Sequence, residues 1–207
     1  MLTRFIKKNI DYYLSKNEYY DSVTTENGFL NKIASSIFVE SENVLKTNQR
    51  ILFNNKVDIN SPMSQVVAKL GKYNYYLEKS RTQNHSILFY KKLIGSLRSR
   101  FELHFIEDQL IIGFATFDVS NTYNKLKVLK ALAEKYNFKM EDIDLENFRL
   151  EDEYNNYIQI IDSVNITLAY GNKSKTNNQL IYDITREKEH IKQSLINREN
   201  LHLQNNI

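Results

Sequence analysis

Residues 101–117, FELHFIEDQLIIGFATF, constrain the fold more than any other stretch of this chain. Two β-type runs flank Glu107-Asp108, which reads as a hairpin turn. In the first run Phe101, Leu103 and Phe105 alternate with Glu102 and His104, a pattern that predicts one packed face and one face turned to water. The second run is apolar on both faces and predicts a central strand covered twice. Gly113 inside it marks a bulge or a close approach of another segment.

The segment before this pair carries helix signals. Ser61 is a good N-cap, and Pro62 suits the first helical position, where its missing N–H costs nothing. Met63, Val66, Val67 and Leu70 follow at helical spacing, and Gly71 supplies the stop. A polar loop and the β-type run SILFYKKLI lead into the hairpin. A second cycle begins about 60 residues after the first, Asn121 against Ser61. Asn121 or Ser120 caps a helix in which Tyr123, Leu126, Leu129, Leu132, Ala133 and Tyr136 line one side, with Lys125, Lys127, Lys130 and Glu134 on the rest. NFRLED, YIQIID, VNITLAY and QLIYDI then read as strands, with turns expected at Asp162-Ser163 and Gly171-Asn172. Upstream, RILF reads as a short strand.

Amphipathic spacing of Phe5, Ile6, Ile10, Tyr13 and Leu14 predicts an N-terminal helix, and the mixed charges of 185–204 predict a solvated C-terminal one. The expected fold class is therefore α+β: two sequential helix-then-antiparallel-strands units forming a helix-on-sheet layer architecture, with N- and C-terminal helices. The corresponding division is 1–54 as an N-terminal helical segment and linker, 55–118 and 119–184 as the two units, and 185–207 as the charged helix.

Composition limits the chemistry. The 207 residues include no Cys, which removes disulfide scaffolds, thiol catalysis and thiolate metal sites. A net charge of +3 is small for a phosphate-tracking protein. No apolar run approaches the ~18 residues of a membrane span, and no signal-like h-region follows the N-terminus, so a cytoplasmic location is expected. Five scattered glycines make no phosphate-binding loop, and no Ser occupies a nucleophile elbow. His85, His104, His190 and His202 include no pair at the spacing that puts two imidazoles on one helical face. His104 and Glu102 read as a surface pair.

Three charged or aromatic clusters remain as candidate sites. The acidic stretch Glu141, Asp142, Asp144, Glu146, Glu151, Asp152 and Glu153 has partial calcium-loop spacing, but it lacks the turn Gly and flanking helices. It reads better as a negative surface for a positively charged partner. Tyr73, Tyr75 and Tyr76 form a tyrosine-rich loop of the kind that anchors interfaces. Lys91, Lys92, Arg98 and Arg100 surround the Ile94-Gly95-Ser96 turn and give an alternative patch for nucleic acid.

INSPMSQVVAKLGK followed by SILFYK and FELHFIEDQLIIG resembles the repeating unit of the SmpA/OmlA-type and β-lactamase-inhibitor-protein-like folds. Val66, Leu70, Gly71, Lys72, Phe105, Asp108 and Leu110 carry the resemblance, over roughly residues 50–118. Residues 120–184 share its order, with Lys135-Tyr136-Asn137 where Leu-Gly-Lys would stand. The resemblance implies a non-enzymatic binding module. The expectation is a protein that binds another protein, without cofactor or metal, specifically an immunity- or antitoxin-type inhibitor whose acidic segment covers the basic surface of a toxin. The alternatives are a nucleic-acid binder using the basic hairpin, an anti-defence inhibitor from a phage or mobile element, and an enzyme with a carboxylate or metal site at Asp142, Asp144 and Glu146.

Overall fold

In the computed structural model the chain divides into two compact units, Met1–Val39 and Glu40–Ile207. The structure describes residues 43–79, 85–119, 121–143, 145, 148–174, 177, 179 and 182, all in the second unit. The expected N- and C-terminal helices lie outside these residues, as do Asp144, Glu146, His190 and His202.

The chain order is β1 (Asn43–Thr47), α1 (Met63–Leu70), β2 (Tyr75–Lys79), β3 (His85–Ile94), β4 (Leu97–Ile106), β5 (Gln109–Phe117), α2 (Thr122–Tyr136), a 3₁₀ turn at Met140–Asp142, β6 (Phe148–Asp152), β7 (Asn156–Asp162) and β8 (Ile166–Asn172). Among the described residues all eight strands belong to one sheet in the order β1-β6-β7-β8-β5-β4-β3-β2. Only β1 and β6 are parallel; every other neighbour pair is antiparallel. The two-unit architecture is thereby overturned. Strands β2–β5 and β6–β8 are meanders, and β5 pairs with β8 from Ile112↔Gly171 to Phe117↔Ile166, fusing them into one mixed sheet. Pairing with β8 covers the edge of an apolar β5 that would otherwise stand as an aggregation-prone edge strand.

The segment 51–59, α1 and α2 cover one face. Ile51, Phe53, Val66, Leu70, Leu129, Leu132 and Tyr136 pack there on Leu88, Tyr90, Phe101, Leu103, Phe105, Leu168 and Tyr170. Phe53 sits edge-on between Phe101 and Tyr170, with ring centroids 5.0 and 5.1 Å away. The opposite face is also buried, at Ile87, Phe89, Ile112, Phe114 and Ala169. Both faces being covered explains why Glu102 and His104, expected at a solvated face, are only 3% and 1% exposed.

Local chemistry accounts for the turns and caps, with several corrections. Glu107 and Asp108 both have positive φ (49° and 67°), as a two-residue I′ hairpin turn requires. Ser61 does not cap α1. Its carbonyl accepts from Leu110 N–H, and Met63 N–H donates to the Asp108 carbonyl, so the start of α1 is satisfied by the β4–β5 hairpin. Pro62 stays extended at ψ 152° just before the helix. Asn121 does cap α2, its side chain accepting from Asn124 N–H at 2.9 Å. Gly71 ends α1 at φ 82° and ψ −172°, and Asn137 ends α2 in the left-handed helical region at φ 56° and ψ 52°, so each helix stops at a residue of positive φ.

Tyr123 and Leu126, expected on the packed side of α2, are exposed; Val128 takes part in the packed side instead. RILF is not a strand: Ile51 is buried in a loop, and Phe53 makes an isolated bridge to Val57. Gly171-Asn172 lies within β8 rather than in a turn, and the described residues of QLIYDI, Gln179 and Tyr182, are helical. β1, unmarked in the sequence reading, completes the sheet at the β6 edge.

Candidate functional site

The β3–β4 hairpin outruns its neighbours. β2 pairs with β3 only between His85 and Phe89, and β5 pairs with β4 only between Ser99 and Ile106. The hairpin itself continues through Lys91↔Arg100, Leu93↔Arg98 and Ile94↔Leu97 to the turn at Gly95-Ser96. Gly95 takes φ 58°, which a side chain there would strain. Beyond Ser99 a single backbone bond, Asp118 N–H to the Arg98 carbonyl, ties the projection laterally among the described residues. The result is a two-stranded finger whose Leu93 is 70% exposed.

The four basic residues predicted around this turn do not form one patch. Side chains alternate along a strand, so Lys91, Arg98 and Arg100 share one face and Lys92 occupies the other. The Lys92 ammonium donates to the Leu70 carbonyl at 2.8 Å, and Arg100 pairs with Asp118 at 3.0 Å.

On the other side of the finger, Ile94–Leu97 and α2 form the walls of a cleft of about 590 Å³. Its floor is apolar, with Leu97, Phe117, Leu132 and Leu168; Asn54, Asn55, Lys127 and Lys135 supply its polar groups. The Lys135 ammonium donates to Asn55 Oδ1 and, at 2.7 Å, to the Tyr136 hydroxyl. Burial lowers the pKa of Lys135 and raises that of the Tyr136 phenol. No motif in the sequence announces this cleft. Its residues come from five separated segments, of which only the Ile94-Gly95-Ser96 turn adjoins a candidate site read from the sequence.

The acidic stretch is not one surface. Glu141 and Asp142 are exposed in the 3₁₀ turn, where Asp142 Oδ2 accepts from Lys139 N–H, and Glu153 is exposed beyond β6. Glu151 and Asp152 are buried in β6. Glu151 pairs with Lys46 at 2.7 Å and with Lys173. Burial alone would raise the Glu151 pKa, but the bonds from Lys173 and Lys46 outweigh it and hold the carboxyl below its ordinary value. Asp152 accepts from Ile51 N–H, Tyr154 N–H, Asn156 N–H and Asn156 Nδ2 at 2.7 to 3.0 Å. Both carboxylates are thus consumed by the fold.

The tyrosines also divide. Tyr75 and Tyr76 point to opposite faces of β2. Tyr75 meets Phe89 on the far face, while Tyr76, 38% exposed, lies 6.0 Å from Tyr73, which packs on the core.

The sequence reading missed a buried polar chain. Glu102 Oε1 lies 2.8 Å from His104 Nε2, and His104 Nδ1 lies 3.2 Å from His85 Nε2. An ionised Glu102 only accepts, so the proton of that contact sits on His104 Nε2. The alternation of Glu102 with His104 was visible, but the burial of that face depends on tertiary cover. Among the described residues no group of three or more His, Asp or Glu side chains is placed to hold a metal ion. No helix among them is long and apolar enough to cross a membrane. Comparison with protein-family models, curated proteins and solved structures finds no match to this chain.

Proposed function

We propose that the protein is a non-enzymatic, cytoplasmic binding module for another protein, of the immunity or antitoxin inhibitor kind. The overhanging β3–β4 finger carries this reading. A large apolar side chain at the end of a projecting hairpin, with Arg98 as its cross-strand partner, is a suitable anchor for an apolar recess with an acidic rim on a partner. The resemblance of residues 50–118 to protein-inhibiting folds supports the same class. The acidic segment does not serve as the contact in this reading, because Glu151 and Asp152 are buried.

Nucleic acid is the weaker occupant. Lys92 and Arg100 are engaged by Leu70 and Asp118, and an exposed Leu93 offers nothing to a phosphate backbone.

Co-expression with the product of the adjacent gene tests the proposal. The two proteins are expected to co-elute, and Leu93→Glu is expected to weaken the complex by about tenfold or more while leaving the melting temperature unchanged. Absence of a complex, or a complex indifferent to Leu93→Glu, would overturn the proposal. So would oligonucleotide binding that falls steeply with salt.

A further inference from the structure

We infer that the cleft between the Ile94–Leu97 turn and α2 binds a small amphipathic carboxylate, with its apolar chain on the Leu97, Leu132 and Leu168 floor and its head group on Lys135. This goes beyond the protein-binding reading and does not depend on it. A volume of about 590 Å³ falls in the ~300–1,000 Å³ range of small-molecule pockets.

Three observations select the ligand. No Asp or Glu occurs among the described lining residues, whereas Lys127 and Lys135 do. The Lys135 ammonium is held by two neutral acceptors, Asn55 Oδ1 and the Tyr136 hydroxyl, which use two of its three protons and leave one for a ligand. Burial lowers its pKa, the signature of a charge partly removed from water without a compensating anion. A carboxylate supplies that anion.

A monoanion fits better than a phosphate. Lys135 is half-buried over the Tyr136 ring at 4.4 Å, while Lys127 lies at the exposed rim over the Tyr123 ring at 4.7 Å. One desolvated cation balances one negative charge, and a second charge in an apolar cleft would go unpaired. The few polar groups also leave little to satisfy a peptide backbone, which favours an alkyl chain.

Isothermal titration of the full chain with decanoate, 1-decanol and decylamine, each below its aggregation limit, tests the inference. Decanoate is expected to bind at least about tenfold more tightly than either neutral or cationic analogue, the worth of one charge-assisted contact. Lys135→Met is expected to abolish that preference, Lys135→Arg to retain it, and Ala131→Trp, which fills the cleft from α2, to remove binding altogether. Melting curves establish that each variant is folded. Equal binding of decanoate and decanol, a preference that survives Lys135→Met, or binding of an acidic peptide but not of decanoate would overturn the inference. Leu93→Glu is expected to leave decanoate binding unchanged, so failure here and failure of the finger as a protein contact are separately visible.

Discussion

Asp152→Ala is expected to cost about 4 kcal/mol, because one carboxylate holds three pieces of chain together. Its two oxygens accept four bonds: Ile51 N–H from the loop beneath the sheet, Tyr154 and Asn156 N–H from the β6–β7 turn, and the Asn156 side-chain amide. Ile51 and Asn156 are buried, at 0% and 5% exposure, so water cannot replace the lost acceptor there. An unsatisfied buried donor costs about 1–3 kcal/mol, which places the two backbone donors of Ile51 and Asn156 together near 4, a floor to which the Asn156 side-chain amide adds. Tyr154 is half-exposed and re-solvates at little cost. Asp152→Asn keeps one acceptor oxygen and turns an NH₂ toward two donors, so it is expected to cost roughly half as much, about 2 kcal/mol.

Urea unfolding followed by circular dichroism measures both. With a slope of about 2 kcal/mol/M the midpoint should fall by about 2 M for Ala and about 1 M for Asn. Hydrogen exchange at the Ile51 and Asn156 amides should accelerate in parallel. A loss below about 1 kcal/mol for Asp152→Ala, or a larger loss for Asn than for Ala, would refute the reasoning.

Gly113→Ala is expected to destabilise by about 1–3 kcal/mol through overpacking. A Cβ there would lie 2.7 Å from Phe53 Cδ2 and 2.8 Å from Leu103 Cδ2, and Phe53 is wedged between two rings. Thermal melts should show part of the loss recovered in Gly113→Ala/Phe53→Leu, and strict additivity of the two changes would contradict the contact. Glu151→Gln is expected to flatten the acid limb of the stability curve. The folded-state pKa of Glu151 is lowered, so its ion pairs stabilise fully above the ordinary glutamate value of 4.5 and are lost as pH falls below it. Urea midpoints measured from pH 7 downward should converge for wild type and variant at acid pH; a constant gap would contradict the linkage.

What the sequence made legible was local. The I′ turn at Glu107-Asp108, the stop at Gly71 and the cap at Asn121 each follow from side-chain chemistry within a few residues, and each is present. Gly113 was readable as a close approach, although only the fold shows that Phe53 makes it. The pairing of β5 with β8 was not readable, because the register between the two cycles carries no turn of its own to mark it. Ser61 failed as a cap for a related reason: the helix-start amide of Met63 donates to the distant Asp108 carbonyl, a partner that no local pattern records. The alternation Phe101-Glu102-Leu103-His104 signalled two different faces correctly and their exposure wrongly. A polar residue can face a covered side when a partner satisfies it, as His104 does for Glu102.

The misread charge clusters have one cause. A run of like charges entering a strand is divided between two faces, so Glu151 and Asp152 point apart, and so do Lys91 and Lys92. On a sheet covered on both sides, surfaces are assembled from cross-strand pairs rather than from consecutive residues. The same parity separates the two proposed sites on one hairpin. The pair Ile94↔Leu97 turns toward the cleft, and the pair Leu93↔Arg98 turns to the opposite face. A substitution at Leu93 therefore alters the finger without entering the cleft, and one at Lys135 alters the cleft without reaching the exposed face of the finger. If both substitutions abolished both activities, the hairpin would have to be acting as one cooperative element, and the division of labour argued from strand parity would fail.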